Sequence, residues 1–144
     1  MEITVSSIMR SKLVTCDSTC NLRRVAQKII DEDAGSVLIK HEEEIAGMIT
    51  EKDLLRAVIK NKDFETTKAG EVMSSPLDCC DADDSLEKCM ELFEKTKRTR
   101  LVVKREGKIV GVIRRKILER FLKTAKRYSL TEISKTPKFR TGRG

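Results

Sequence analysis

Aromatic residues are almost missing from this 144-residue chain: it has no Trp, one Tyr and four Phe. Without exposed aromatic rings a protein cannot offer the stacking platforms on which single-stranded nucleic acids are usually held. Histidine is nearly absent as well, since His41 stands alone in a predicted turn. No Ser/His/Asp, Cys/His or paired-carboxylate arrangement emerges, so the sequence does not read as an enzyme. No apolar run is long enough to span a bilayer, and Met1-Glu2-Ile3-Thr4 has neither the basic nor the apolar region of a secretory leader. The expectation is a soluble, cytoplasmic protein with no membrane partner. Five cysteines are present (Cys16, Cys20, Cys79, Cys80, Cys89), but their number is odd and no Cys-x-x-Cys occurs. Zinc needs convergent ligand pairs, which this spacing does not supply. The cysteines read as small buried hydrophobes, with a redox or metal switch as a weaker third reading of the protein.

What is present is charge. Charged residues make up 37% of the chain against 39% hydrophobic, enough for a core under a very polar surface. The net charge is +7, and residues 123–144 hold seven Lys or Arg against a single acid, Glu132. The body is therefore nearly neutral and the C-terminal stretch carries the basic character.

The chain repeats itself. An offset of 64 residues pairs Met9 with Met73, Cys16 with Cys80, Leu22 with Leu86, Lys40 with Lys104, Gly47 with Gly111, Ile49 with Ile113 and Leu54 with Leu118, with no gap from Met9 to Arg120. Such a match marks a tandem duplication. Within a copy, residues 5–10 read as a short helical or turn lead-in, and Leu13–Cys16 as an extended piece. A helix starting at Asp17 or Ser18 carries Leu22, Val25, Ala26, Ile29 and Ile30 at helical spacing, with Gly35 as its break. Ser36–Lys40 and Ile45–Ile49 form a hairpin around a four-residue loop, His41–Glu44. A helix from Glu51 to about Ile59 closes the unit. Asn61–Ala69 is a polar connector. The second copy opens at Glu71, with a helix near Ser85–Lys95, strands at Arg100–Lys104 and Lys108–Ile113, and a last helix from Arg115 to about Tyr128. One unit this small leaves an apolar sheet face uncovered, and packing two sheets together covers both.

Gly47-Met48-Ile49-Thr50-Glu51-Lys52-Asp53 joins a buried strand to a helix. Thr50 followed three residues later by Asp53 is close to a capping box, although that box prefers Glu or Gln at its second site. The same geometry gathers a hydroxyl, a carboxylate and free backbone N–H groups at one helix N-terminus, where an anion can be held.

The repeated strand-helix-strand-strand-helix order, the strand Ser36-Val37-Leu38-Ile39 and this Gly-h-h-Thr-x-x-Asp heptad (h, hydrophobic) resemble the cystathionine-β-synthase (CBS) domain family, present as the tandem pair called a Bateman module. The resemblance covers roughly residues 3–125. It implies an α+β fold of α/β-like character: two β-α-β-β-α repeats packed sheet to sheet with pseudo-two-fold symmetry. The corresponding division is repeat one at 1–60, a connector at 61–69, repeat two at 70–127 and a basic, flexible tail at 128–144. It also implies two clefts between the repeats that bind adenosine-containing ligands such as AMP, ADP, ATP or S-adenosylmethionine, with no cofactor required. By position, Met48, Thr50, Lys52 and Asp53 of repeat one and Leu77, Asp78, Thr99 and Arg100 of repeat two belong to one cleft. Asp53 would bond the ribose hydroxyls, Thr50 would lie near ribose and phosphate, Leu77 and Asp78 would offer backbone to adenine, and Arg100 would take phosphate.

The second cleft departs from this pattern. Arg114 stands where Thr50 does, Ile117 replaces the Asp, and Ser36 replaces the basic residue equivalent to Arg100. One competent and one degraded site follow. The resemblance further implies a stand-alone ligand sensor that homodimerises through its helices (22–30, 51–59, 86–94, 116–125) and acts on a regulated protein. The alternative is a module that binds nucleic acid or a partner protein through residues 129–144, with salt-dependent affinity.

Overall fold

Residues 3–130 are described by the structure, a computed structural model. Repeat one contains α1 (Val5–Ile8), β1 (Thr15–Asp17), α2 (Leu22–Glu32), β2 (Ser36–His41), β3 (Glu44–Thr50) and α3 (Glu51–Ile59). Repeat two follows with α4 (Ala69–Val72), β4 (Cys79–Asp81), α5 (Leu86–Thr96), β5 (Arg100–Arg105), β6 (Lys108–Arg114) and α6 (Arg115–Leu130). The result is the expected α+β architecture. Each repeat builds a three-stranded sheet in which the first strand runs parallel to the second and the third pairs antiparallel with it. The registers coincide: Val37 faces Ile49 as Leu101 faces Ile113, and both hairpins shift register after the fourth residue of the central strand.

The central strands read as unbroken apolar runs because both their faces are covered. Side chains alternate along a strand, so Val37 and Ile39 join the core beneath α2 and α3 while Leu38 points the other way. In repeat two, Leu101 and Val103 pack in the core with Phe93 and Leu118, and Val102 faces out. Leu38, Met48 and Val102 form the seam between the sheets, flanked by Leu13, Ile45, Leu77, Cys79, Ile109 and Val112.

The two lead-in segments are exchanged. Val5 is fully buried in the core of repeat two, where its N–H donates to the Asp84 carbonyl and Ser6 N–H to the Ala82 carbonyl. Ala69 is buried in the core of repeat one and donates to the Cys20 carbonyl at 2.7 Å. Beyond these helices, Arg10 bridges to Val112 and Ser74 to Met48. The spatial units therefore do not coincide with the sequence repeats: residues 5–10 serve the second and 69–74 the first. Gly47 and Gly111 make this crossing possible. A Cβ on Gly47 would lie 2.8 Å from the Ser74 carbonyl oxygen, and one on Gly111 would lie 2.8 Å from that of Arg10.

Local details differ from the sequence-based expectations. β1 lies at Thr15–Asp17, and α2 starts at Leu22. Asp17 ends β1 and turns the chain by accepting from Thr19 N–H and Oγ1, so the cap is Asn21, whose Oδ1 accepts from Arg24 N–H. The helix ends at Asp33, in the left-handed region at φ 51°, rather than at Gly35. The hairpin loop has two residues, Glu42 and Glu43 at φ 51° and 70°, because His41 and Glu44 still pair. Positive φ at both positions suits the right-handed strand twist. The connector is less polar than its composition: Thr67 is buried, Phe64 packs on the first core, and carbonyls of both accept from the start of α2. Ala69 already belongs to α4, and residues 128–130, expected in the tail, belong to α6. The basic stretch from 131 to 144 lies outside the described residues.

The crossing predicts that Gly47→Ala lowers unfolding free energy by about 1–3 kcal/mol, the usual range for overpacking, because backbone must move. Gly107→Asn, at φ 80° with open space around it, should cost less. Urea denaturation of the two variants measures the difference.

Candidate functional site

The heptad after β3 folds as a complete capping box. Thr50 is the N-cap of α3 in extended conformation, and its Oγ1 accepts from Asp53 N–H at 3.3 Å. In return Asp53 Oδ2 accepts from Thr50 N–H at 2.8 Å and from Thr50 Oγ1 at 3.0 Å. The shorter acid closes the box as Glu would. Among the described residues the other oxygen, Oδ1, meets only Arg56 Nη1, at 3.1 Å, and the Arg56 side chain is 62% exposed. Thus one carboxylate oxygen is locked while the other faces a displaceable surface cation, whose pairing is worth little.

Opposite α3 lies the start of repeat two's sheet. Met48 exchanges backbone bonds with Ser74, which holds the chain before Leu77 against β3. The Asp78 carbonyl accepts from Val102 N–H at 3.1 Å, and the Asp78 carboxylate accepts from Arg98 Nε at 2.7 Å. The Thr99 carbonyl accepts from Arg115 N–H at 2.8 Å, closing β5 against the start of α6. Met48, Thr50, Lys52, Asp53, Leu77, Asp78, Thr99 and Arg100 all line one cleft of about 190 Å³. Arg56, Lys97 and Arg98 line it too and were not foreseen from the sequence. Arg56 was legible as the i,i+3 partner of Asp53. Lys97 reaches the rim because it ends α5 in the left-handed region, at φ 61°.

Arg100 is the electrostatic centre. It is half-buried rather than a solvated strand end, and its guanidinium lies over Gly35, where any Cβ would collide with it. Gly35 thus lies beneath the Arg100 side chain rather than at the end of the helix. Burial, then the neighbouring Arg114, lower the pKa of Arg100, against the raising effect of Glu51 and Asp53. Arg114 is its direct cross-strand partner. Among the described residues neither guanidinium makes an ion pair or a side-chain hydrogen bond.

The second cleft, about 120 Å³, contains Ser36, Arg100 and Arg114 together with Arg10, Lys12 and Asp33. Arg10 is spent on the end of α2, donating to the carbonyls of Glu32 and Asp33 at 2.9 Å each, and Lys12 pairs with Glu32 at 2.8 Å. Ile117 sits one turn into α6, half-buried and outside the lining. The cleft offers cations and no carboxylate placed like that of Asp53.

The cysteines are free thiols. Burial pushes Cys16 up to about 11, and sharing a proton with Cys89 at 3.8 Å, together with burial, pushes Cys80 up further. Among the described residues no three His, Cys, Asp or Glu side chains converge to hold a metal ion. No described helix is long and apolar enough to cross a membrane.

The CBS-domain family model matches twice, over residues 5–60 and 69–123. Among solved structures, a CBS-domain protein of unknown function from Thermoplasma acidophilum superposes with a TM-score of 0.77 at 18% identity, covering 96% of this chain and 80% of that one. An uncharacterised conserved protein from Pyrococcus horikoshii gives 0.74 at 16% identity, covering 98% of each chain. A CBS-domain protein from Pyrobaculum aerophilum, solved as a complex with AMP, gives 0.73 at 22% identity over 86% of this chain and 99% of that one. Among curated proteins none matches.

The capping box has a measurable share in stability. Thr50→Ala removes the N-cap oxygen and is expected to cost about 1 kcal/mol, within the usual range for caps. Chemical denaturation checks this; an unchanged midpoint would mean that the box contributes nothing.

Proposed function

Because the chain belongs to the CBS-domain family and carries its domain as a tandem pair, we propose that it is a regulatory sensor binding one adenine nucleotide in the cleft around Asp53. The observation that carries this reading is the meeting of Thr50 and Asp53 from one repeat with Leu77, Asp78, Thr99 and Arg100 from the other in a single cleft. The AMP complex of the Pyrobaculum aerophilum protein supports an adenine nucleotide as the ligand class.

Each group has chemistry suited to that ligand. A carboxylate only accepts, so Asp53 Oδ1 takes protons from the ribose diol once Arg56 swings away. Arg100 presents a planar fork of donors to phosphate. The backbone at Leu77 and Asp78 gives adenine a fixed polar edge beside the apolar Met48. S-adenosylmethionine, the alternative ligand, brings a cationic sulfonium toward Arg100 and is disfavoured. Since the lining comes from both repeats, a ligand that fits one arrangement of the sheets better shifts the protein toward it, by no more than its differential affinity.

A second copy of the chain is the partner we assign to the helical face of repeat one. Ile30 on α2 and Leu55, Val58 and Ile59 on α3 are 57–78% exposed. The equivalent positions in repeat two are Glu94, Glu119, Leu122 and Lys123. The apolar patch is thus one-sided and self-complementary about a two-fold axis.

Calorimetric titration with AMP should saturate at about one equivalent per chain, and Asp53→Ala should weaken binding about ten- to a hundredfold, the scale of hydrogen bonds to a charged group. Saturation at two equivalents would refute the asymmetry between the clefts, and unaltered affinity in the variant would refute the site. Separately, Leu55→Glu with Ile59→Glu should convert a dimer to a monomer in light scattering. A dimer that persists would place the interface elsewhere.

A further inference from the structure

The first cleft is small, at about 190 Å³, against the roughly 300–1,000 Å³ of a typical small-molecule site. It does not end at Arg100. Thr50, Lys52, Thr99 and Arg100 also line a larger opening of about 380 Å³, which continues past Arg114 and Lys116 at the start of α6. Arg100 and Arg114 in turn line the second cleft. Arg100 thus lines both clefts and the opening between them, and Arg114 lines the opening and the second cleft.

The pair is costly as it stands. Like charges directly opposite in an antiparallel ladder repel, and burial of Arg100 sharpens the repulsion. Nearby acids answer it only in part. Glu51 and Asp53 lie close enough to act on Arg100, but Asp53 is held by Thr50 and Arg56. Glu119 is bound to Arg115 at 2.9 Å, which neutralises both. Arg114 also stands where Thr50 caps α3, and Arg has no acceptor atom with which to cap α6. Thus, where repeat one has the Thr50 hydroxyl, the positive end of α6 has no side-chain acceptor from this position and a guanidinium beside it instead, although Arg115 N–H is still met by the Thr99 carbonyl.

We propose that Arg100 and Arg114 together form a clamp for a chain of phosphates, so that the second cleft is the distal phosphate subsite of the first, and the ligand is a nucleoside di- or triphosphate rather than a monophosphate. This rests on the adenine-nucleotide reading of the first cleft. The nucleoside fills the cleft beside Asp53, the first phosphate meets Arg100, and the terminal phosphates meet Arg114 and the first turn of α6. Anionic oxygens then replace the repulsion between the guanidiniums with attraction.

The test is calorimetry on the full chain with AMP, ADP, ATP and inorganic tripolyphosphate, for wild type, Arg114→Gln and Arg114→Lys. Wild type should bind ATP at least tenfold more tightly than AMP, with ADP between them. Arg114→Gln should lose that preference while keeping its AMP affinity, and Arg114→Lys should restore part of it. Arg114→Gln without ligand should melt at the same or a higher temperature than wild type, since it removes repulsion. Equal affinities for AMP and ATP in wild type, or equal weakening of both in Arg114→Gln, would overturn the clamp. Tripolyphosphate separates the clamp from the reading it rests on. Binding of tripolyphosphate that depends on Arg114, with no binding of any adenine nucleotide, would uphold the clamp for inorganic polyphosphate and refute the adenosine site. AMP binding with neither an ATP preference nor tripolyphosphate binding would do the reverse.

Discussion

The apolar seam between the two sheets is the constraint from which the rest of the structure follows. Leu38, Met48 and Val102 are buried only because each sheet lies on the other. Removing apolar surface from water contributes roughly 25 cal/mol per Å², and neither three-stranded sheet has another way to cover this face. Once the sheets stack, the ends of their strands are brought side by side at the edge of the seam. The turn from β3 into α3 then faces the start of β5, and the turn from β6 into α6 faces the start of β2. The clefts are the space left where these strand ends diverge around the shared apolar layer.

That origin makes the two clefts geometric equals and leaves their chemistry to individual side chains. Thr50 and Asp53 in one correspond to Arg114 and Ile117 in the other, and Ser36 corresponds to Arg100. Two of these replacements remove the hydroxyl and the carboxylate and add a guanidinium, while the third puts a serine where the first cleft has Arg100. The asymmetry extends to the outer face, where Ile30, Leu55 and Ile59 have the charged counterparts Glu94, Glu119 and Lys123, and only Val58 has an apolar one, Leu122. A duplicated scaffold thus carries two different clefts and two different outer faces.

Much of this was legible in the sequence because it depends on periodicity and repetition. The apolar runs at 37–39 and 101–103 mark the central strands, and the gapless offset aligns two copies of one site. The eight residues of the first cleft came together because the repeats stack as the duplication implied. What the sequence hid depends on long-range contact or on turn conformation. Nothing local in Val5 or Ala69 tells that each lead-in helix crosses to the other repeat. Gly35 looked like a helix stop because glycine usually ends helices, but Asp33 took that role and Gly35 makes room for a side chain far away in sequence. The tightness of the first hairpin was hidden too, because two consecutive Glu residues are poor candidates for positive φ.

The crossing of the lead-in segments has a mechanical consequence. Each core contains a helix covalently attached to the other repeat, so pulling either repeat open withdraws Val5 or Ala69 from its neighbour's interior. The two halves are clasped, and loosening one loosens both. Two similar pieces are therefore tied to each other through both interiors, and the Met48–Ser74 bridge joins the backbone of one cleft wall to the segment that leads into the other.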